Sequence, residues 1–275
     1  MMKTAVITGS TRGIGLGLAQ QFLSRGCQVV VSGRSEASVR RAVETLSASY
    51  PAEYIHGQAC DVSQLADVQK LWDSAVSRFG RVDIWINNAA INTPEQLPAW
   101  EQPQDAITSV IETNLLGVIY GCKVAISGMI AQGGGHVYNM EGSGSGGEVM
   151  IGNAMYGTTK AGLRYLTKAL VVETKGHPVK VSYLSPGIVT TDLLMQTVPA
   201  GKEAETERIF NILADDVETV TAWLVERILA NDKSGARIVW LTPSKIMRRF
   251  MLAPLRKRDV GTRMMRAASS AHSNL

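Results

Sequence analysis

A doubly wound parallel α/β sheet of seven strands, in a single domain, is the expectation for this chain. Short β-branched runs alternate with longer segments of helical spacing along almost its whole length. Several of the runs are apolar throughout, as burial on both faces of a parallel sheet requires. A glycine-rich turn follows the first run directly.

Taken in order, the strands are read at Lys3–Thr8, Gln28–Ser32, Glu53–Cys60, Val82–Asn87, His136–Met140, Val179–Leu184 and Arg237–Leu241. Helical periodicity fills the intervals at Ile14–Arg25, Val39–Ser47, Val68–Phe79, Ala106–Met129, Tyr156–Thr174 and Val217–Leu229. No repeat or linker interrupts this pattern before about Thr242. Residues 1–242 are therefore expected to form one domain, with a substrate loop at 192–214, and residues 243–275 a basic amphipathic tail.

The 275 residues are 45% apolar and 19% charged, which excludes disorder and gives a single chain enough material for a large core. Cys27, Cys60 and Cys122 are widely spaced within apolar stretches, and none has a histidine at metal-ligand spacing, so buried thiols in a reducing compartment are expected. The first strand begins almost at residue 1, and no stretch of 18 or more apolar residues stands out. The chain is expected to be cytoplasmic and to have contact with a membrane only at its periphery. From Lys245 onward eight cations face Asp259 alone, a net +7 that leaves −3 on the remainder.

The turn Thr8-Gly9-Ser10-Thr11-Arg12-Gly13-Ile14-Gly15 joins the first strand to the first helix. Gly9 permits the sharp turn, Gly13 a close approach of backbone to a pyrophosphate, and Gly15 tight helix packing, while the helix N-terminus offers free N–H donors to the anion. This is the dinucleotide-binding arrangement of a Rossmann-type fold. An acid at the end of strand two would select NAD, but this chain has Arg34 there and Arg12 in the loop, two guanidinium groups suited to a 2′-phosphate. NADPH is the expected cofactor. Tyr156 and Lys160 lie four apart on one helix face, where an ammonium beside a phenol supports the proton transfer that carbonyl reduction needs.

These residues, with Asp61-Val62 after strand three, Asn87-Asn88-Ala89-Ala90 after strand four, Asn114 and Pro186-Gly187-Ile188-Val189-Thr190-Thr191 after strand six, resemble the short-chain dehydrogenase/reductase family over about residues 3–241. The resemblance implies that Asp61 and Val62 contact the adenine and that Asn88 and Ala89 line the ribose. Ile188 and Thr191, in the Pro186-Gly187 loop, would grip the nicotinamide carboxamide. It makes Tyr156 the acid/base, gives Lys160 a second role at the nicotinamide ribose, and has Asn114 hold a water of a proton relay. A serine thirteen residues before the tyrosine binds the substrate oxygen in this family, which points to Ser143. The stretch Asn139-Met140-Glu141-Gly142-Ser143-Gly144-Ser145-Gly146-Gly147 departs from the family's paired serines, so Ser145 competes for that role.

The same stretch, with Leu184–Met195, Phe210–Ala214 and the basic end, is similar to the chlorophyll b reductase subgroup. That similarity implies reduction of the C7 formyl group of chlorophyll b, or of its phytol-free form, to a hydroxymethyl group. The glycines leave room for a wide aldehyde, and Leu193, Leu194, Met195 and Val198 could form an apolar lid. The partners implied are a small-molecule aldehyde of the pigment type, an anionic membrane surface touched by the tail, and a second copy in a homodimer or homotetramer. Without stacking aromatics beside the charges, nucleic acid is not among them. A generic ketone or acyl-chain carbonyl reductase and a non-catalytic NADP-binding regulator are the competing readings.

Overall fold

The computed structural model describes residues 2–198, 201–255 and 258–272, with side chains as far as Arg266. Seven parallel strands form one sheet in the order β3-β2-β1-β4-β5-β6-β7, where β1 is Thr4–Ile7, β2 Gln28–Gly33, β3 Ile55–Ala59, β4 Ile84–Asn87, β5 Gly135–Met140, β6 Val179–Ser185 and β7 Arg237–Val239. The seven-stranded Rossmann-type expectation holds. The order reverses between β1 and β4, which opens a crevice at the carboxyl ends of these neighbouring strands.

Both faces are covered, which explains the continuous apolar runs. Helices α1 (Gly13–Leu23), α2 (Glu36–Ser47) and α9 (Val217–Ala230) bury Leu18, Phe22, Leu46 and Leu224 against one face. Against the other, α3 (Leu65–Phe79), α5 (Gly117–Ala131) and α6 (Ala154–Glu173) bury Leu71, Trp72, Met129 and Leu163. Each large side chain sealed this way contributes about 1.5–3 kcal/mol. Cys27, Cys60 and Cys122 are free and buried, and burial pushes the thiols of Cys60 and Cys122 up to about 12.

Two segments differ from the periodicity. The helix read over Ala106–Met129 is two helices, α4 (Gln104–Ile111) and α5, joined by a π turn at Glu112–Leu116. The span Gln104–Ala131 contains an 18-residue window of mean hydropathy 1.5, so it is long and apolar enough to cross a membrane by composition alone. Its buried residues pack on α3 and the sheet as part of the core. The segment read as a substrate loop carries helices α7 (Asp192–Met195) and α8 (Glu203–Leu213).

The basic end folds onto the body as α10 (Pro243–Leu252) and α11 (Val260–His272). Thr262 and Gly261 of α11 bond to Glu207 and Asn211 of α8. Two of the tail's cations point inward: Arg249 and Arg258 both bind the buried carboxylate of Asp215, at 2.8 and 2.7 Å, and cap the last carbonyls of α8. Arg256 and Lys257 lie outside the described residues. Trp240 Nε1 donates to the same carboxylate at 2.6 Å, and the Asp215 backbone pairs with Ile188 and Thr190 in the loop after β6. One acid thus ties α8, α10 and that loop together.

Replacing Asp215 with Ala strands two partly buried guanidinium groups with no counter-charge, which costs up to about 3–5 kcal/mol. Urea unfolding of the full chain should show that loss, and a change under about 1 kcal/mol would mean the cluster is not structural.

Candidate active site

The crevice is built first by its backbone. Gly9 and Gly13 have positive φ, +62° and +55°, so the chain can turn sharply out of β1 into α1. A Cβ on Gly9 would lie 2.8 Å from Ala89 Cα, and one on Gly15 would strike the Gly9 carbonyl. The glycines are demanded by the geometry, and they leave the first turn of α1 open to an anion.

Asn88 locks this loop to β4. Its side-chain amide donates to the carbonyls of Thr8 and Gly9 at 2.9 and 3.1 Å, and its main-chain N–H, with that of Ala89, donates to Thr8 Oγ1. The side chain expected to line a ribose is therefore spent on holding the loop, and only its remaining faces are available to a ligand. Ser10 is buried and bonds to Ile7 and Ser32, while Thr11 packs on Gly33. Ile14, the second residue of α1, is packed against the core on that side of the sheet.

The two arginines are in different situations. Arg12, at the start of α1, reaches Asp192 of α7 at 3.4 Å in an exposed pair. Arg34, after β2, is exposed and adjoins the cap of α2. At the end of β3, Asp61 accepts from the N–H and hydroxyl of Ser63, and Val62 is buried against Gly117. On the far side Pro186 is buried, Gly187 (φ +72°) packs against Leu241, and Thr191 caps α7 and lies 3.4 Å from where a Gly13 Cβ would be. All of these residues ring the carboxyl ends of the strands.

Tyr156 and Lys160 sit in the first turns of α6, with the Lys160 ammonium 5.4 Å from the tyrosine ring centre. Lys160 is 2% exposed and donates to the carbonyl of Met140 at 3.2 Å. Burial lowers it to about 8, against the opposing charge of Glu141. The Tyr156 ring is partly exposed, but its hydroxyl end is crowded. A Cβ on Gly142 would lie 2.6 Å from that oxygen, and the desolvation pushes the phenol up to about 12. An ammonium was expected to ease ionisation of this phenol; desolvation instead governs it, and the phenol is held protonated.

Asn114 occupies the π turn. Its side chain exchanges two 2.8 Å hydrogen bonds with the Ile91 backbone, so a water held there could use only the main chain. The competing serines separate clearly. Ser145 is buried and bridges Gly142 N–H and the Lys160 carbonyl, whereas the Ser143 hydroxyl meets only Met150 Sδ, a weak acceptor. Sequence reasoning missed the Asn88 clasp, the π turn and the ion pair of Glu141 with Arg237 at 2.8 Å. Glu141 was visible as a departure from the family pattern; the other two leave no local signature. Among the described residues there is no group of acids, histidines or cysteines able to hold a metal.

The sequence model of the short chain dehydrogenase family matches residues 3–202. The chain is 38% identical over 271 residues to the probable chlorophyll(ide) b reductase, chloroplastic, of Arabidopsis thaliana, covering 93% of this chain and 54% of that protein. It is 41% identical over 230 residues to a chlorophyll(ide) b reductase, chloroplastic, of Oryza sativa subsp. japonica, covering 82% and 66%. The chain thus spans between half and two thirds of these curated relatives. Among solved structures, the 3-ketoacyl-(acyl-carrier-protein) reductase of Brucella melitensis complexed with NADH superposes with a TM-score of 0.75 at 25% identity, over 86% of this chain and 96% of that one. Both plant relatives are chloroplastic by name, which contradicts the cytoplasmic expectation.

The phenol's protonation can be read directly. The difference in tyrosinate absorbance between the wild type and Tyr156→Phe should be flat through neutral pH, rising only above about pH 10. A rise near pH 7–8 would mean that Lys160, not desolvation, governs Tyr156 in the free protein.

Proposed function

Because the chain belongs to the short-chain dehydrogenase family and superposes on a reductase solved with NADH, we propose that it reduces a formyl group to a hydroxymethyl group at the expense of NADPH, with a chlorophyll b-type pigment as substrate. The observation that carries this reading is the placement of a protonated, crowded Tyr156 beside a buried Lys160 at the mouth of a glycine-built crevice. Such a crevice, in which a Cβ at Gly9 or Gly15 would have no room, fits a dinucleotide, and the bound NADPH would supply the hydride.

The chain's own residues then divide the work. Ser143, bound only to a weak acceptor, turns its hydroxyl to the substrate oxygen and fixes the carbonyl. Tyr156 donates its proton to that oxygen as negative charge develops there. Lys160 stands beside the resulting phenolate as its counter-charge, and a water on the Asn114 main chain returns the proton from solvent. The formyl carbon gains a hydride and its oxygen a proton, giving the alcohol. Gly9, Gly13 and Gly15 leave backbone N–H groups for the pyrophosphate; Arg34 takes the 2′-phosphate; Ile188 and Thr191 hold the carboxamide.

Support for a wide, apolar substrate comes from the rim. Val149 and Ile151 are 94% and 89% exposed, and Trp100, on the segment that also carries Gln96, is 85% exposed. These side chains stand on loops bound to one another around the site. Ser143 reaches Met150; Gly152 packs on Gln96; and Gln96 donates to the carbonyl of Gln196, beside Leu193, Leu194 and Met195. The second reading, a generic ketone or acyl carbonyl reductase, shares the catalytic residues but gives this apolar rim no task.

Purified protein with NADPH should convert chlorophyll b or chlorophyllide b to the 7-hydroxymethyl product, followed as the formyl group leaves conjugation. Tyr156→Phe should lower turnover by at least about 100-fold with NADPH binding retained. No conversion of pigment alongside reduction of simple aldehydes would select the generic reading; turnover surviving in the Phe variant would remove Tyr156 as the acid. Arg34→Ser should raise KM for NADPH about tenfold or more and change that for NADH by less than about twofold, the loss of a charge-assisted contact. Equal losses for both cofactors would refute its role at the 2′-phosphate.

A further inference from the structure

Beside the Tyr156–Lys160 pair lies a carboxyl group that no step so far uses. Glu141 directly follows β5, and its side chain is 3% exposed. Oε2 accepts from Arg237 Nε of β7 at 2.8 Å, while Oε1 is buried with no hydrogen-bond partner among the described residues. A buried carboxylate with half its acceptors unmet is expensive, so the position demands a compensating role.

Its chain neighbours indicate what that role is. Met140, on one side, offers the carbonyl that holds the Lys160 ammonium. Gly142, on the other, presses so closely on the pair that a Cβ there would be 2.6 Å from Tyr156 Oη and 3.2 Å from Lys160 Cε. The charge of Glu141 acts on Lys160 in the direction that keeps it protonated, against the burial that would discharge it. The other groups near this acid are Arg237 from β7 and Tyr183 from β6, itself close to Arg164 of α6, with Glu148 of the glycine-rich loop near Arg237. Among these, Glu141 is the carboxylate whose charge reaches Lys160.

We propose that Glu141 is a positioning residue, a buried counter-charge that keeps the Lys160 ammonium protonated and seated on the Met140 carbonyl while Tyr156 gives up its proton. Arg237 holds the carboxylate through its own ion pair at 2.8 Å. No covalent step is involved. The proposal rests on the reading of Tyr156 and Lys160 given above, so its test includes an arm that needs no turnover.

Lys160 can be followed by NMR titration of its 13Cε in the full chain, its signal assigned by loss in Lys160→Arg. Glu141→Gln, which keeps the shape and the acceptor for Arg237, should move the Lys160 midpoint down by about one pH unit. Glu141→Asp, with the charge drawn back one methylene, should fall between the two. In the NADPH-dependent aldehyde assay the alkaline limb of kcat should move with it, KM for the aldehyde staying within about twofold. An unchanged Lys160 midpoint in Glu141→Gln overturns the proposal whether or not any aldehyde is reduced. A shifted midpoint with an unshifted activity limb instead leaves the counter-charge intact and refutes the proposed catalytic use of Lys160. If Glu141→Gln does not fold, Glu141→Asp against wild type decides: a smaller downward shift supports the proposal and no shift overturns it.

Discussion

The clasp between Thr8 and Asn88 is the constraint from which the rest of the site takes its dimensions. Neighbouring strands β1 and β4 diverge in connectivity, one leading to α1 and the other to the loop before α4. Without a tie between their ends the crevice would have no fixed width. Thr8 Oγ1 accepts from Asn88 and Ala89 and donates to Ile86, while the Asn88 amide returns bonds to Thr8 and Gly9. These groups are largely buried, so each bond left unmade would cost about 1–3 kcal/mol. Together they set the turn whose glycines then have no alternative.

From that fixed edge the catalytic side is aligned by a second set of buried amides. Asn87 donates to Asn139 on β5, and Asn139 donates to Thr167 on α6, linking β4 to the helix that carries Tyr156 and Lys160. Asn114 reaches the same helix through Thr159 and the loop after β4 through Ile91. The Asp215 cluster does the same work on the remaining side, fastening the loop after β6 to α8 and α10. A site assembled from six separate strand ends is thereby held by polar bonds that are paired on both sides, which is how buried polarity yields geometry instead of strain.

What the sequence made legible was what repeats or recurs in a fixed order. Strand alternation placed all seven strands, and most bounds shift by only one or two residues, because apolar runs extend slightly beyond the paired backbone. The glycine turn and the four-residue spacing of Tyr156 and Lys160 were equally visible. Helix α2 begins at Glu36 and α3 at Leu65, both three residues earlier than read; the first turn of α2 is largely polar and carries no apolar period. The π turn adds residues to a continuous helical pattern and so cannot be seen in it. Asp215 has no local sequence signal; only the folding back of α10 and the segment beyond it brings Arg249 and Arg258 to it from more than 30 residues away. The expectation of a cytoplasmic protein was drawn from where the chain begins, and a chain's first residues say little about compartment beside relatives that are nearly twice as long.

In the proposed reaction, the relation between Tyr156 and Lys160 also bears on the direction of the chemistry. With the phenol near 12 and the amine near 8, the resting pair at neutral pH is a neutral phenol beside an ammonium. That state is primed to donate a proton, which reduction requires, whereas oxidation requires the phenolate at the start. Once the proton has left, the phenolate and ammonium attract in a poorly solvated space, where the interaction is far stronger than in water. The two groups then titrate as a coupled pair, and the ammonium is hardest to discharge when it is most needed. Burial therefore has opposite effects at the two stages: it holds the proton on Tyr156 before the reaction and strengthens the ion pair after it. A more solvated pair would lose both, and this is the physical reason for crowding glycine backbone against the tyrosine hydroxyl in place of an open, hydrated pocket.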